Sequence, residues 1–499
     1  MLLEVHNSHG NLLLGIDLGS SGLKAVLLSP DAGIVATQTI PLSLFSDHIG
    51  WAEADPHEWW SAVCSVIEKL LTQANRSASS ISAVAVSGMV PAVLVVDAQG
   101  NPLRRAILQN DARAVDEIEY LKNKLSNVDL LAMTGAVVSQ QSVAPTILWL
   151  AKNEPTVFAQ THAVMGSYDW VASRLGAEPH VESNWALESG LYTIDLKRVE
   201  IVQEATGINW PKLLEVKRSG EKIGSVSQAS ATETGLIAGT PIIVGGADHV
   251  LSAFGAGLVE EGDCLIKLGG AGDILVVSNS IYLDSRLYLD SHPVPGKWLP
   301  NGCMATSGSV LRWEEELFKD VSLEDLDREA EISAPGALIS LPYFLGEKTP
   351  LHDPNLRGGM LGLHLGTTRG DIHRSFLEAI AYGFKTHFEV FLEGKLNPSR
   401  VRVTNGGSKS RLWRTILSDV LNRELHSIVN HPGASFGAAV IAGIGIGEIE
   451  DWSYVLNALE VGEEILPDER NVEIYGERFQ DFVKFGATVA PISHRLARG

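Results

Sequence analysis

Two hairpin-like patterns of apolar and polar positions organise the chain. Residues 12–29, LLLGIDLGSSGLKAVLLS, consist of two apolar runs with a polar, glycine-rich turn between them. Residues 262–279, GDCLIKLGGAGDILVVSN, repeat this design. Apolar runs joined by a short turn that contains glycine are typical of buried β-hairpins. The repeat predicts two similar domains, each built around one hairpin.

The pattern predicts further strands and helices around these hairpins. Strands are expected at 33–41, 81–86, 93–96 and 241–246. A further strand should start at residue 401 and end in glycines before a helix. Helices are expected after the cap Asp55 and at 250–257, 371–384 and 434–445, and 114–232 is mainly helical in pattern. The small residues of 434–445 suit close packing on a neighbouring element. Trp59 and Trp60 lie on the first helix, where a core position is favoured over a ligand platform.

Length and charge narrow the class of protein. A chain of 499 residues with 45% hydrophobic and 20% charged residues has enough apolar sequence for large cores. The hairpin pattern restarts after Gly245, so we expect domains at 1–244 and 245–499, with the last helix packing back on the first domain. A net charge of −21 argues against nonspecific binding to nucleic acids or membranes, which favours basic surfaces.

Cysteine usage and hydropathy predict a cytoplasmic protein. Cys64, Cys264 and Cys303 are isolated and lack metal-ligand spacing, so neither disulfides nor zinc are expected. No apolar run approaches the ~18 residues of a membrane span. The first ten residues, MLLEVHNSHG, lack the basic and apolar regions of a secretion signal.

The turn of the first hairpin carries groups that suit a phosphate. Glycine lets a ligand approach the backbone, and successive N–H groups in such a turn form an anion site. Hydroxyls from Ser20 and Ser21 and the charge of Lys24 would add to it, and Asp17 at the strand end suits a bridging divalent cation. A glycine turn alone is also compatible with a purely structural hairpin. The second copy, with Gly19 matching Gly269 and Gly22 matching Gly272, favours a nucleotide-phosphate site with magnesium.

Three other places carry candidate chemistry. The loop after the strand at 81–86 could form a substrate pocket, and Asn110, Asp111 and Arg113 could bind a polyol or belong to an ordinary loop network. Asp248 follows a buried strand that ends in glycines, where it could act in catalysis or cap a helix. The glycines after the strand at 401 could receive an adenine ring or a phosphate.

Six motifs occur in the order that is typical of one enzyme family. They are GIDLGSSGLKAVLL at 15–28, GWAEADPHEWW at 50–60, VSGMVPAVLVVDAQGNPL at 86–103, GGADHVLSAFGAG at 245–257, LPYFLGEKTPLHDPNLRGGMLGL at 341–363 and NGGSKSRLWRTILSDVL at 405–421. On these motifs the sequence resembles the FGGY carbohydrate kinases, and it is most similar to their xylulokinase branch. The resemblance implies an α/β fold with a duplicated ribonuclease-H-like (actin/hexokinase-type) core of two domains, with ATP and sugar in the cleft between them.

The resemblance also implies roles for single residues. Asp248 would be the base that takes the proton of the attacking sugar hydroxyl, and Asp17 would hold Mg²⁺. The phosphates of ATP would lie against Gly19, Ser20, Ser21 and Lys24 on one side and Gly269, Gly270 and Gly272 on the other. Adenosine would be lined by Gly406, Gly407 and Ser408. Dimers are common in the family, so the resemblance is compatible with a homodimer.

The sequence departs from the xylulokinase pattern where the sugar is bound. A Gln-Met-His-Gly run is replaced by Met89-Val90-Pro91-Ala92, and the residue after the catalytic aspartate, usually Asn or Gln, is His249. Gly270 replaces a common Thr of the second phosphate hairpin. Candidates for the sugar contacts are Met89, Val90, Pro91, Asn110, Asp111, Gln141 and His249.

Three functions compete for this sequence. The first is an ATP-dependent kinase of a small sugar, with a ketopentose such as xylulose favoured over another polyol or a sugar acid. The second is an ATP-driven switch of the actin and heat-shock type, against which Asp248 and the polar loops at 87–113 argue. The third is a sugar sensor with little turnover, against which Asp17, Lys24 and Asp248 argue.

Overall fold

The protein is described by a computed structural model of residues 11–319 and 321–497. The prediction that residues 1–10 carry no secretion signal lies outside these residues. The described residues form two compact units: the first lies within Met1–Gly257, Leu289–Lys297 and Pro432–Ala458, and the second within Leu258–Tyr288, Trp298–His431 and Leu459–Gly499. The predicted seam near Gly245 falls inside a strand of the first unit. In the described part of the chain, no helix has the length and apolar composition needed to cross a membrane.

Most strands belong to two large mixed sheets. The strands are β1 Leu12–Leu18, β2 Gly22–Ser29, β3 Gly33–Pro41, β4 Glu53–Ala54, β5 Ile81–Gly88, β6 Leu94–Val96, β7 Ala106–Ile107, β8 Ala163–Met165, β9 His180–Glu182, β10 Lys212–Leu213, β11 Glu215–Lys217, β12 Lys222–Ser225, β13 Pro241–Ala247, β14 Asp263–Leu268, β15 Gly272–Val276, β16 Tyr288–Ser291, β17 Trp298–Met304, β18 Ile339–Leu341, β19 Gly359–Leu361, β20 Arg400–Thr404, β21 Leu425–Ile428 and β22 Val461–Ile465.

The two large sheets have the same internal order. The first is β12-β13-β5-β1-β2-β3, and the second is β16-β17-β15-β14-β20-β21-β22. In both, a hairpin (β1–β2 or β14–β15) is extended on one side by an antiparallel strand and on the other by two parallel strands and an antiparallel edge strand. The second sheet has one more strand, β16, which lies beyond β17 at its edge. This correspondence confirms the duplicated α/β fold predicted from the repeated hairpin.

Helices cover and connect these sheets. They are α1 Pro56–Ala74, α2 Val115–Lys124, α3 Leu130–Thr134, α4 Val143–Asn153, α5 Pro155–Gln160, α6 Ser167–Leu175, α7 Ser183–Ser189, α8 Glu200–Thr206, α9 Gln228–Thr234, α10 Asp248–Gly255, α11 Gly308–Phe318, α12 Leu323–Glu331, α13 Arg369–Glu393, α14 Arg411–Leu421, α15 Ala434–Ile446 and α16 Glu469–Leu496. As predicted, Asp55 caps α1 by accepting the backbone N–H of His57. Trp59 and Trp60 of α1 are buried, which agrees with core positions.

The small-residue helix α15 packs directly on the central strand of the first sheet. A Cβ atom placed on Gly15 of β1 would lie 1.9 Å from the carbonyl oxygen of Ser435 and 2.5 Å from the amide nitrogen of Ala439. Backbone atoms therefore approach each other where side chains usually separate a helix from a sheet. It is α15 that returns to the first unit from late in the chain, whereas the last helix, α16, belongs to the second unit and packs on α14. The packing of the last helix on the first domain stays a prediction.

Two stretches differ from the pattern-based prediction. Residues 114–232 contain the short strands β8 to β12 in addition to their helices. Strands of two to four residues are too short to produce a recognisable alternation of apolar and polar positions. The helix predicted at 371–384 continues to Glu393, because the sequence after residue 384 keeps an apolar face.

Candidate active site

Three parallel strands bring the first set of candidate residues to one edge of the first sheet. Asp17 of β1 pairs with Ser87 of β5, and Ser87 pairs with Gly246 of β13. Since neighbouring strands lie about 4.8 Å apart, the backbones of Asp17 and Gly246 are about 10 Å from each other across the sheet. Asp248 follows directly after β13. The carboxyl ends of β1, β5 and β13 therefore gather the two candidate carboxylates at one edge.

The first hairpin turn has the geometry of a small polar cradle. The N–H of Gly19 donates to the carbonyl of Gly22 (3.1 Å) and closes the turn, while Ser20 and Ser21 are exposed. Lys24 lies directly opposite Asp17 in the β1–β2 pair, so their side chains share one face of the hairpin. The ammonium group of Lys24 is 3.3 Å from the carbonyl oxygen of Pro432. An anion at this turn would meet the two hydroxyls and the Lys24 charge.

Asp248 is the first residue of helix α10, and its N-cap is Ala247. The alternative role of Asp248 as a helix cap is therefore wrong. One carboxylate oxygen, Oδ1, accepts the backbone N–H of His249 at 2.6 Å, and the side chain keeps 38% of its surface exposed. A carboxylate at a helix N-terminus is favoured by the helix dipole. Oδ2 has no hydrogen bond in the described structure, so it can receive a proton from a bound hydroxyl.

His249 is surrounded by three carboxylates. Its Nε2 lies 2.7 Å from Oδ2 of Asp290 and 3.9 Å from Oε1 of Glu188, and its Nδ1 lies 3.6 Å from Oδ1 of Asp248. Asp290 is 1% exposed and Glu188 belongs to α7. Burial by itself lowers the pKa of His249, but the neighbouring carboxylates outweigh it and raise the pKa well above its ordinary value. Burial and the Asp290 charge raise the pKa of Glu188 well above its ordinary range.

Ligand-type atoms of Glu188, His249 and Asp290 lie within 4.8 Å of one another. This is a geometry that a metal ion could use. An imidazole that carries protons on both nitrogens, however, has no lone pair for a metal. In the described structure Nε2 of His249 is hydrogen-bonded to Oδ2 of Asp290 at 2.7 Å, and this contact is an ion pair when the imidazole is protonated.

The loop that replaces the Gln-Met-His-Gly run is buried. Met89, Val90, Pro91 and Ala92 all lie in the interior. The hydroxyl of Ser167 donates to the carbonyl of Met89, and the indole N–H of Trp185 donates to the carbonyl of Ala92. The loop thus offers no polar side chain to a sugar, in contrast to the run that it replaces.

The remaining sugar candidates are in different environments. Asp111 accepts the backbone N–H of Ala52 (2.6 Å) and the guanidinium of Arg113 (2.7 Å), and Arg113 stacks on Trp51. This is the ordinary loop network that the sequence left open as an alternative to polyol binding. Asn110 is exposed and Gln141 is half-buried. In the described structure, no hydrogen bond or ion pair joins these residues to Asp248.

The second unit contains a cavity of about 690 Å³ next to its hairpin turn. Gly269, Gly270, Gly406 and Gly407 line it, together with Arg312. A Cβ on Gly406 would meet no atom within 4 Å, so this glycine faces open space. The cavity therefore joins the second phosphate hairpin to the strand–glycine–helix segment, as the nucleotide prediction requires.

Arg312 occupies the space of the missing threonine. A Cβ on Gly270 would lie 2.6 Å from Nη2 of Arg312, a residue that is itself exposed. The carbonyl of Gly270 accepts the backbone N–H groups of Ser307 (2.8 Å) and Ser309 (3.1 Å), which fixes the turn on the start of α11. A guanidinium thus stands where the resemblance to the FGGY kinases implies a hydroxyl.

Two predicted nucleotide residues do not line this cavity. A Cβ on Gly272 would lie 2.8 Å from the ring of Phe384, so Gly272 serves core packing. The hydroxyl of Ser408 donates to the carbonyl of Asn405 (2.7 Å) and closes a turn. Lys409 and Ser410 line the cavity beside the glycines instead.

A buried histidine ties three helices together at the wall of this cavity. Nδ1 of His373 lies 2.7 Å from Glu314 and its Nε2 lies 2.9 Å from Asp327, so α13 is linked to α11 and α12. Burial opposes the charged form, but the two hydrogen bonds and the two charges raise the pKa of His373 to about 9. The imidazole is therefore charged at neutral pH.

We expect the charged His373 to stabilise the fold at neutral pH and to lose this effect at alkaline pH. A pKa of about 9 in the folded state against an ordinary 6.5 stabilises the fold below pH 6.5 by about 3 kcal/mol. That contribution decreases as pH rises from 6.5 and is lost above about 9. The free energy of unfolding in urea should differ less between pH 7 and pH 10 for His373→Gln than for the wild type. The control, His364→Gln, changes an exposed histidine and should behave like the wild type. Equal pH dependence in all three proteins would contradict the assignment.

Asp290, Glu188 and Arg312 were not predicted from the sequence. Each lies far along the chain from the group it contacts, and none belongs to a motif with fixed spacing. Arg312 alone has a hint in the sequence, since Gly270 replaces a common Thr.

Comparison with known proteins places these features in one family. Residues 12–255 match the N-terminal domain of the FGGY family of carbohydrate kinases, and residues 280–446 match its C-terminal domain. The chain is 38% identical to the structure of a xylulose kinase from Rhodospirillum rubrum, with a TM-score of 0.92 over 97% of this chain and 100% of the other. It is 27% identical to the xylulose kinase of Escherichia coli K12 over 96% of this chain and 100% of the relative. It is 25% identical to the gluconokinase of Bacillus subtilis over 89% of each chain.

Proposed function

This chain belongs to the FGGY family of carbohydrate kinases and is a phosphotransferase with an alcohol group as acceptor, and on this basis we propose that it is an ATP-dependent kinase of a small ketose. Xylulose is the favoured substrate. The observation that carries the proposal is Asp248. Its carboxylate is fixed by one oxygen at the start of α10 and is open to a ligand at the other.

The proposed reaction needs little covalent chemistry from the protein. A sugar hydroxyl attacks the γ-phosphorus of ATP, the new O–P bond forms as the bond to ADP breaks, and Asp248 accepts the hydroxyl proton through Oδ2. Phosphoryl transfer depends mainly on positioning and charge neutralisation, and a carboxylate within hydrogen-bond reach suffices as the base. His249 fixes the orientation of Asp248 through its backbone N–H.

The nucleotide contacts follow from the two hairpin turns. We propose that Ser20, Ser21 and Lys24 of the first hairpin contact phosphates of the nucleotide, and that Gly269, Gly270 and Arg312 at the second hairpin are nucleotide-phosphate contacts as well. Gly406, which faces the open cavity, would lie against the nucleoside. Asp17 is a half-buried carboxylate, and Mg²⁺ commonly uses one or two carboxylates together with substrate phosphates. Asp17 would thus hold Mg²⁺, which neutralises phosphate charge when bound.

Sequence identity with known kinases favours xylulose over other acceptors. The xylulose kinases from Rhodospirillum rubrum and Escherichia coli K12 are 38% and 27% identical to this chain, against 25% for the gluconokinase of Bacillus subtilis. The buried loop at Val90 and Pro91 argues for sugar contacts that differ from the common pattern. We further propose that the enzyme acts in the cytoplasm, as its use of ATP and its free cysteines suggest.

The substrate is tested by ADP release from Mg·ATP with a panel of ketoses, polyols and sugar acids. Strong turnover with D-xylulose would support the proposal and show that the changed loop is tolerated. Preference for another member would replace xylulose and make that loop a determinant of specificity. ATP binding without turnover on any acceptor would support the sugar-sensor alternative.

We expect Arg312 to contribute to ATP binding in place of the missing threonine. Arg312→Ala should raise the KM for ATP about tenfold, because a charge-assisted hydrogen bond to a phosphate is lost. Gly270→Thr should have a similar effect, since its side chain displaces the guanidinium. The double variant should recover part of the loss through the new hydroxyl.

The matched control is Arg495→Ala, which removes an exposed arginine in the last turn of α16. It should leave the KM for ATP unchanged. Strictly additive losses in the Gly270 and Arg312 double variant would contradict the idea that the two positions share one space.

A further inference from the structure

We propose that Asp290 is a positioning residue of the sugar site, which holds His249 as a hydrogen-bond donor to the sugar and so favours an uncharged ketose or polyol over a sugar acid. This inference rests on the proposed kinase function and deepens it. Asp290 lies 41 residues after His249 along the chain, and the resemblance to the family assigns it no role.

The geometry divides the two imidazole nitrogens between two tasks. Nε2 is bound to Oδ2 of the buried Asp290 at 2.7 Å, which fixes the plane of the ring. Nδ1 is turned toward the catalytic carboxylate, 3.6 Å from Oδ1 of Asp248. That distance is too long for a good hydrogen bond, so the Nδ1 proton remains available to an oxygen of a sugar held at Asp248.

The charges around His249 keep both ring nitrogens protonated. Three carboxylates face the imidazole from three elements: Asp248 from its own helix α10, Glu188 from α7 and Asp290 from β16. They raise the pKa of His249 well above its ordinary value despite its burial. Since a neutral imidazole has a single N–H, the pair with Asp290 preserves the second donor at neutral pH.

The same charges determine which acceptor fits. When Asp248 is ionised, as a base must be, and His249 is paired with Asp290, the cluster has a net negative charge. A sugar carboxylate brought beside it would add a like charge in a partly desolvated site, which is unfavourable. An uncharged acceptor can instead accept the Nδ1 proton with a carbonyl or hydroxyl oxygen and donate its hydroxyls to Asp248 and Glu188.

The test is the pH dependence of kcat/KM for D-xylulose, compared with D-gluconate, in the wild type, Asp290→Asn and His249→Asn. On the alkaline side of its profile, the wild type should lose kcat/KM as His249 loses its proton. In Asp290→Asn this loss should begin at least about one pH unit lower, because an adjacent opposite charge is removed. In His249→Asn the loss should vanish and the KM for xylulose should rise, while gluconate should be the poorer acceptor for the wild type.

Asp284→Asn is the matched control, since it neutralises an aspartate whose partners Tyr282 and Arg286 lie outside this cluster. It should keep the wild-type profile. An unchanged profile in both Asp290→Asn and His249→Asn, or an equal kcat/KM for gluconate and xylulose, would overturn the inference. If Asp290→Asn does not fold, as judged by circular dichroism, His249→Asn decides the question. A wild type inactive on every acceptor would instead refute the proposed kinase function.

Discussion

Asp248→Asn should bind ATP normally and lose phosphorylation of every sugar. The amide has nearly the shape of the carboxylate, and its oxygen can still accept the backbone N–H of His249. It cannot take a proton from the attacking hydroxyl, however, and general-base catalysis contributes about 10² to 10⁴-fold in rate. We therefore expect kcat to fall by that factor, with little change in the dissociation constant for ATP measured by calorimetry.

Glu200→Gln provides the control for this substitution. Glu200 is an exposed acid at the first position of α8, as Asp248 is at the first position of α10. Both variants therefore lose a favourable negative charge at a helix N-terminus, and only Asp248→Asn should also lose catalysis. Substantial sugar phosphorylation by Asp248→Asn would remove the base assignment.

Gly15→Ala should be among the most destabilising single substitutions in the first unit. The added methyl group would lie 1.9 Å from the carbonyl oxygen of Ser435 and 2.5 Å from the amide nitrogen of Ala439. These are backbone atoms of α15, so relief requires the helix to move away from β1. Overpacking of this kind costs about 3 kcal/mol, at the upper end of the usual range. Thermal unfolding followed by circular dichroism should show a clearly lowered midpoint.

The comparison variant is Gly476→Ala in α16, where an added Cβ would meet no atom within 4 Å. Alanine has the higher helix propensity, so this variant should be as stable as the wild type or slightly more so. If Gly15→Ala melted at the wild-type temperature, the close packing of α15 on β1 would be refuted.

The sequence was sufficient to predict features that depend on residues close to one another along the chain. The β1–β2 and β14–β15 hairpins, the Asp55 cap of α1 and the break of β20 into glycines are local features, and all were predicted. The duplicated fold followed because the two hairpins are similar in sequence. Identification of the family likewise depended on motifs in which residues are close along the chain.

The sequence was insufficient where a contact joins distant segments. Asp290 meets His249, and His373 meets both Glu314 and Asp327, only because the fold brings separate elements together. The role of single glycines could not be predicted either. Gly406 faces a cavity while Gly272 packs on Phe384, although both belong to glycine-rich motifs in the sequence. The helix-cap alternative for Asp248 failed because the helix starts at Asp248 itself.

The most direct test of the central claim is to identify the product by ³¹P NMR after the protein is incubated with Mg·ATP and D-xylulose. A sugar kinase should form a sugar monophosphate in the same amount as ADP, and neither should accumulate when the sugar is left out. Release of inorganic phosphate alone, at a rate that is independent of the sugar, would contradict the account and support an ATP-driven switch.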